Sequence, residues 1–214
     1  MAVIVPCVTV STPEDYKSSL ERIHTFATRF HVDISDSTFA PVTLLGPDQI
    51  WWPQEWEVDV HVMVAQPSLY LPQLIALKPH MITIHAEINE DLVALIQQIR
   101  AAGIRAGVAL MRATVPSNIA GALEAADHAM IFSGDLGKYG GVASLIQLEK
   151  IRLIKAINAG IEIGWDGGIT IDNAFSLSQG GVDVLNVGGA IQKNADPMAA
   201  YNALVSEINK QGVI

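Results

Sequence analysis

Eight short β-rich runs, alternating with stretches of helical spacing, predict an α/β chain folded as a single (β/α)8 TIM-type barrel over residues 1–214. Two further observations support that class. The composition, 50% hydrophobic and 16% charged, suits strands buried on both faces and excludes disorder. The turn after the first run, Cys7–Thr12, lacks the Gly-x-Gly-x-x-Gly pattern that an open, doubly wound nucleotide-binding sheet wants.

In order, the strand candidates are Val3–Val10, Phe30–Ile34, Val58–Met63 and Met81–His85, then Ala106–Met111, Ala129–Ser133, Ile161–Trp165 and Val182–Val187. Ser11-Thr12-Pro13-Glu14 supplies a cap and a first-turn proline for a helix carrying Leu20, Ile23 and Phe26. Asn89-Glu90-Asp91 opens another, with Leu92, Leu95, Ile96 and Ile99 at helical spacing. Leu145–Ile157 and Met198–Ile208 give two more, and Gly103, Gly160 and Gly180-Gly181 stand where helices should stop. The second unit is irregular: Leu44–Trp52 has to supply its short helix, ahead of the tryptophan-rich Trp51–Trp56 stretch.

The net charge of −9 offers no basic stripe, which argues against nucleic-acid and membrane-surface partners. An anionic small substrate remains open, since backbone amides and a metal supply local positive potential. Cys7 is the only cysteine, so neither a disulfide framework nor a thiolate zinc cluster exists. The first ten residues lack the layout of a secretory signal, and no apolar stretch reaches transmembrane length. A cytoplasmic protein is expected.

Chemistry concentrates at the strand ends. His31 and Asp33 lie two apart, as do Asp59 and His61, so each pair points to one face of its strand. Asp166 ends the seventh run. A lone strand histidine is ordinarily a core or surface residue, but His31, Asp33, His61 and Asp166 together suit one divalent ion, Zn²⁺, Fe²⁺, Mn²⁺ or Co²⁺, with positions left for substrate oxygens. Glycines form the second group: Gly140-Gly141 after strand six, Gly167-Gly168 after strand seven, Gly188-Gly189 after strand eight. Single Gly-Gly pairs mean turns; three on consecutive strand ends of one rim suit a phosphate site.

These residues resemble the ribulose-phosphate 3-epimerases of the phosphate-binding barrel group. His31-Val32-Asp33-Ile34-Ser35-Asp36, with Phe39 and Pro41, is similar to the family segment H-x-D-x-M-D-G-x-F-x-P. Asp59-Val60-His61-Val62-Met63 is similar to D-x-H-x-M, and Asp166-Gly167-Gly168-Ile169 to D-G-G-[IV]. Gly107–Leu110 resembles the fifth strand and Val187–Ile191 the V-x-G-S-A-I turn, so the likeness spans nearly the whole chain. It implies an isomerase of the pentose phosphate pathway that inverts C3 of D-ribulose 5-phosphate to give D-xylulose 5-phosphate. Asp33 and Asp166 are then the catalytic acid and base on opposite faces of the sugar, and both also hold the metal with His31 and His61. The small phosphorylated sugar would lie among the glycines and Cys7, with Met63 as an apolar wall and His85 as a positioning candidate beside Glu87. A homo-oligomer, dimer or hexamer, is implied as well.

The rim departs from the family pattern. Cys7 stands where serine is usual, Ser35 for methionine and Ser37 for glycine. Gly137-Lys138-Tyr139-Gly140-Gly141-Val142 loses a final glutamine and adds Lys138, and Met111-Arg112-Ala113-Thr114 replaces an asparagine–proline turn. Lys138 and Arg112 are each placed to meet an anion or water. A hexulose 6-phosphate or other ketose phosphate is the alternative substrate, and a non-catalytic phosphate-binding relative the alternative class. The decarboxylase and aldolase branch would want Asp-x-Lys-x-x-Asp on strand three, where Asp59–Val64 has no lysine. His24, His80 and His128 fit no pattern and are expected at the surface.

Overall fold

A computed structural model describes residues 2–210; Met1 and residues 211–214, included in the expected domain, lie outside the described residues. Eight parallel strands close on themselves in chain order: β1 (Val3–Val8), β2 (Arg29–Ser35), β3 (Glu57–Met63), β4 (Met81–His85), β5 (Arg105–Leu110), β6 (His128–Phe132), β7 (Glu162–Asp166) and β8 (Val184–Val187). β8 returns to pair with β1, so no edge is left open. Each expected strand is present, with ends moved by one or two residues.

The helices are α1 (Pro13–Ile23), α2 (Leu71–Ala76), α3 (Leu92–Ala101), α4 (Ala120–Ala125), α5 (Glu149–Ile157), α6 (Ile171–Gln179), α7 (Gly189–Gln192) and α8 (Pro197–Ile208). Local chemistry starts the longer ones. Thr12 Oγ1 accepts from the Asp15 N–H ahead of α1, Asp91 Oδ1 from Ala94 ahead of α3, and Asp196 Oδ1 from Ala199 ahead of α8. Tyr16, Leu20 and Ile23 of α1, then Leu95, Ile96 and Ile99 of α3, face inward at the spacing of one helix stripe. They meet Ile4, Val8, Val32, Val60, Ile82, Val108, Ile131 and Leu185, the outward residues of the strands, in one continuous core. No helix among the described residues is long and apolar enough to cross a membrane.

The second unit differs from expectation: Leu44–Trp52 forms no helix, and β2 reaches β3 through turns and extended chain. Gly46 and Pro47 interrupt the stretch, Pro41 and Pro53 flank it, and a proline cannot sit inside a helix without losing a hydrogen bond. Its apolar residues still cover the barrel. Leu44, Leu45 and Ile50 are buried, Leu45 N–H donates to the Val10 carbonyl, and Tyr16 O–H donates to the Trp51 carbonyl.

Alternate strand residues face the barrel axis, and there the polarity is unusual. At the N-terminal ends of the strands, Arg29 and His80 hold the two oxygens of buried Asp59, each at 2.8 Å. Glu162 takes His128 Nδ1 at 2.8 Å and Arg105 at 3.0 Å on one oxygen. This corrects the surface expectation for His128, which is fully buried, and for His80, which is half-buried. His24 does lie at the surface. The charged floor closes one end of the barrel, leaving the C-terminal ends of the strands as the open mouth.

Burial works against the charge of Glu162, yet the His128 hydrogen bond and the Arg105 and Arg29 cations hold its carboxyl at about 2. A carboxyl lowered in the folded state stabilises the fold above its ordinary value and loses that contribution as pH falls towards the folded one. Glu162→Gln should therefore melt lower than the parent at pH 7, by about 2 kcal/mol. The gap should close as pH falls from 4.5 to about 2, which paired thermal melts across that window check.

Candidate active site and metal centre

Strand parity and register assemble the open end. His31 and Asp33 of β2 point to the axis, and Asp33 is level with His61 of β3. Asp166, the last residue of β7, comes from the far side, level with Phe132 of β6 and Asn186 of β8. Asp33 Oδ1 lies 3.1 Å from His31 Nε2 and 2.9 Å from His61 Nδ1. Asp166 Oδ2 stands 3.6 Å from the first nitrogen and 3.8 Å from the second. One donor atom from each residue thus lies within 4.8 Å of all the others.

That donor set fits a divalent ion. Two imidazole nitrogens and two carboxylate oxygens, with ligand bonds of about 2.0–2.2 Å, span a little over 4 Å across an ion. Both imidazoles are buried and aim a nitrogen at one carboxylate oxygen, an arrangement that concentrates lone pairs in one small volume.

Electrostatics separates the two acids. Burial opposes the charge of Asp33, but hydrogen bonds from His31 and His61 hold its carboxyl well below the usual range. Asp166 lacks such partners, and burial pushes it up to about 7, with His31 pulling the other way and the Asp33 charge adding to the rise. Burial pushes His61 down to about 4, against the pull of Asp33. For His31 burial acts in the same sense, yet Asp33 and Asp166 outweigh it and raise its value. Two carboxyls facing one space at opposite ends of their range can serve as proton acceptor and proton donor.

Beside them opens a cavity of about 250 Å³. Cys7, Asp33 and Asp166 line it, as do Gly140, Gly141, Gly167, Gly168, Gly188 and Gly189, so the expected phosphate glycines converge on one rim. Glycine is obligatory at two of them. Gly167 has φ +99°, and a Cβ there would stand 2.0 Å from the Gly134 nitrogen. At Gly168, φ +73°, it would stand 2.1 Å from the Ala143 nitrogen. Lys138 and Lys193 also reach this space and supply positive charge to an otherwise acidic chain.

Other expected residues lie elsewhere. Met63 does not line the cavity; it packs with Ala40 and Leu44. His85 is fully buried behind His61, with Nε2 atoms 2.8 Å apart. Arg112 is tied to the Ser133 and Val142 carbonyls, where it braces the loop after β6. Ser35 Oγ donates to the Val42 carbonyl at 2.8 Å, and Ser37 adopts φ +64°, a conformation glycine takes without strain.

Three residues were not singled out from the sequence. Thr9 Oγ1 donates to Asp33 Oδ2 at 2.6 Å and fixes that carboxylate. Tyr139 folds over Gly188, its hydroxyl accepting the Thr9 N–H at 2.8 Å. Asn186 is buried against the cavity, with Nδ2 on the Met130 sulfur and Oδ1 without a partner among the described residues. The signal was present: Thr9 keeps the inward parity of Val5 and Cys7, and Asn186 is the polar residue of an otherwise apolar strand.

A closed barrel with a polar mouth, an acid pair and a glycine rim has the layout of a (β/α)8 enzyme, whose site lies at the C-terminal ends of the strands. The chain belongs to the ribulose-phosphate 3 epimerase family, whose model matches residues 3–192. It is 33% identical over 182 residues to a ribulose-phosphate 3-epimerase of Helicobacter pylori, covering 81% of this chain and 83% of that one. A Mycobacterium leprae protein of the same name is 31% identical, with 81% of each chain covered. A crystal structure of 3-keto-L-gulonate-6-phosphate decarboxylase from Vibrio cholerae shares the fold, with a TM-score of 0.75 at 12% identity and 97% of each chain covered.

The glycine rim carries its own test. Gly167→Ala should cost about 2 kcal/mol or more, since strain at positive φ adds to the backbone collision. Gly103→Ala, also at positive φ but with nothing within 4 Å, should cost about 1 kcal/mol. Denaturant midpoints of the two variants make the comparison.

Proposed function

We propose that this protein is a metal-dependent 3-epimerase that interconverts D-ribulose 5-phosphate and D-xylulose 5-phosphate. One observation carries the reading: Asp33 and Asp166 enter a single glycine-rimmed cavity from opposite sides of the barrel, one held ionised and the other held near neutrality. Inversion at a carbon beside a carbonyl needs a base on one face and an acid on the other, and the same pair exchanges roles in the reverse direction.

The phosphate of the substrate sits among the backbone N–H groups of the glycine loops after β6, β7 and β8, with Lys138 and Lys193 beside it. That anchor leaves the ketose end to extend to the floor of the cavity. Asp33, ionised and steadied by the Thr9 hydroxyl, removes the proton from C3. Asp166 delivers a proton to the opposite face, and the configuration inverts. A divalent ion held by His31, Asp33, His61 and Asp166 would supply Lewis-acid stabilisation of the negative charge that builds on the sugar oxygens. His31 and His61 serve only to hold it. Pentulose rather than hexulose phosphate is favoured by the family to which the chain belongs.

Asp33→Asn and Asp166→Asn should each lower exchange of the C3 proton with solvent deuterium by on the order of 10²–10⁴-fold while circular dichroism shows the fold retained. Normal exchange in either variant would remove that residue from the reaction. The assay, run on D-ribulose 5-phosphate and a hexulose 6-phosphate with and without chelator, should show a preference for the pentulose and loss of turnover with the ion removed. Metal analysis should find about one divalent ion per chain in the parent and none in a His31→Ala/His61→Ala double variant.

A further inference from the structure

Behind His61 runs a chain of polar contacts that the proton-transfer reading leaves unused. His61 Nε2 lies 2.8 Å from His85 Nε2, and His85 Nδ1 lies 3.1 Å from Glu87 Oε2. The second Glu87 oxygen is already engaged: Oε1 accepts the Met111 N–H at 2.8 Å and the Thr114 hydroxyl. Both imidazoles are fully buried, with the Phe132 ring against both and Phe39 against His85. Water has no place between the two imidazoles.

We propose that Glu87 and His85 are positioning residues that dictate which nitrogen His61 offers to the cavity. An ionised carboxylate only accepts hydrogen bonds. His85 must therefore carry its proton on Nδ1, facing Glu87, and present a lone pair at Nε2. That lone pair takes the proton of His61 Nε2, and when an ion takes the place of the hydrogen bond that His61 Nδ1 gives Asp33, the lone pair of His61 is left on Nδ1. Nδ1 is the atom that faces Asp33 and Asp166. The direction of every donor in the row follows from one carboxylate about three side chains from the cavity. Burial works against that charge, but hydrogen bonds from His85, Thr114 and Met111 hold Glu87 below the usual carboxylate range. The inference rests on the metal reading given above and adds to it a cause for the orientation of one ligand.

Chemistry makes a near-isosteric change the harshest test. In Glu87→Gln the amide oxygen satisfies the Met111 N–H and the Thr114 hydroxyl, so the amide NH₂ turns to His85 Nδ1. Every donor in the row then reverses, and a proton comes to sit on His61 Nδ1, where the ion belongs. Glu87→Ala only removes the bias. A purely structural role predicts the opposite order, because glutamine fills the space and alanine empties it.

The experiment titrates Zn²⁺ against a competing chelator dye into metal-stripped parent, Glu87→Gln and Glu87→Ala proteins, with circular dichroism confirming each fold. The Zn²⁺ dissociation constant should rise by about 10–100-fold in Glu87→Gln and by less in Glu87→Ala. Nitrogen NMR of labelled histidine should place the His85 proton on Nδ1 in the parent and on Nε2 in Glu87→Gln. Parent-like Zn²⁺ affinity in Glu87→Gln, a larger loss in Glu87→Ala, or a His85 proton that stays on Nδ1 in Glu87→Gln overturns the inference. A parent protein that takes up no Zn²⁺ while turning over substrate overturns the metal reading itself, a separate result.

Discussion

One carboxylate oxygen, Asp33 Oδ1, stands between two buried imidazole nitrogens, and the mouth of the barrel is organised around that meeting. Buried polar groups are costly unless each finds a partner. The second oxygen of Asp33 is met by Thr9, Thr9 in turn by Tyr139, and the outer nitrogen of His61 by His85. Each satisfaction recruits another strand or loop: β2, β3, β1, the loop after β6, and β4. The site is thus a consequence of solving one burial problem in a closed sheet.

The same strands solve a different problem at their other ends. There Asp59 and Glu162 are each matched by cations and imidazoles, so the acids carry their charge into a dry place with compensation already supplied. At the mouth, Asp166 has no matching cation and is pushed the other way. Two ends of one barrel use the same residue types, and the pairing of arginine with histidine around Asp59 and Glu162 separates the closed floor from the open mouth.

Much of this was legible before the fold was known. The strand order and the closing of the barrel follow from eight apolar runs of similar spacing, and the two-residue parity of His31 with Asp33 already put both on one face. Asp59 shows the limit of that logic. It shares the parity of His61 but lies one inward layer nearer the floor, where Arg29 and His80 claim it. Spacing along one strand fixes a face, whereas depth depends on how neighbouring strands are staggered. The helix expected at Leu44–Trp52 rested on the repeat, which needed one there, and not on local spacing; Gly46 and Pro47 make that stretch a covering strap. His128 escaped because its partner, Glu162, is distant in sequence and meets it only through the β6–β7 pairing.

The backbone contacts among Gly134, Gly141 and Gly167 bear on how such a pocket changes over time. An added Cβ at Gly167 would stand 2.0 Å from Gly134, and one at Gly141 would stand 2.9 Å from the same residue. Main chain lies directly on main chain there, so Gly141 and Gly167 leave no room for a side chain. Lys138 and Tyr139 sit within that loop, and Lys193 across from it, free of the constraint. Drift in the shape of the pocket is channelled into these few positions, while the glycine seams hold the loops after β6 and β7 at fixed spacing.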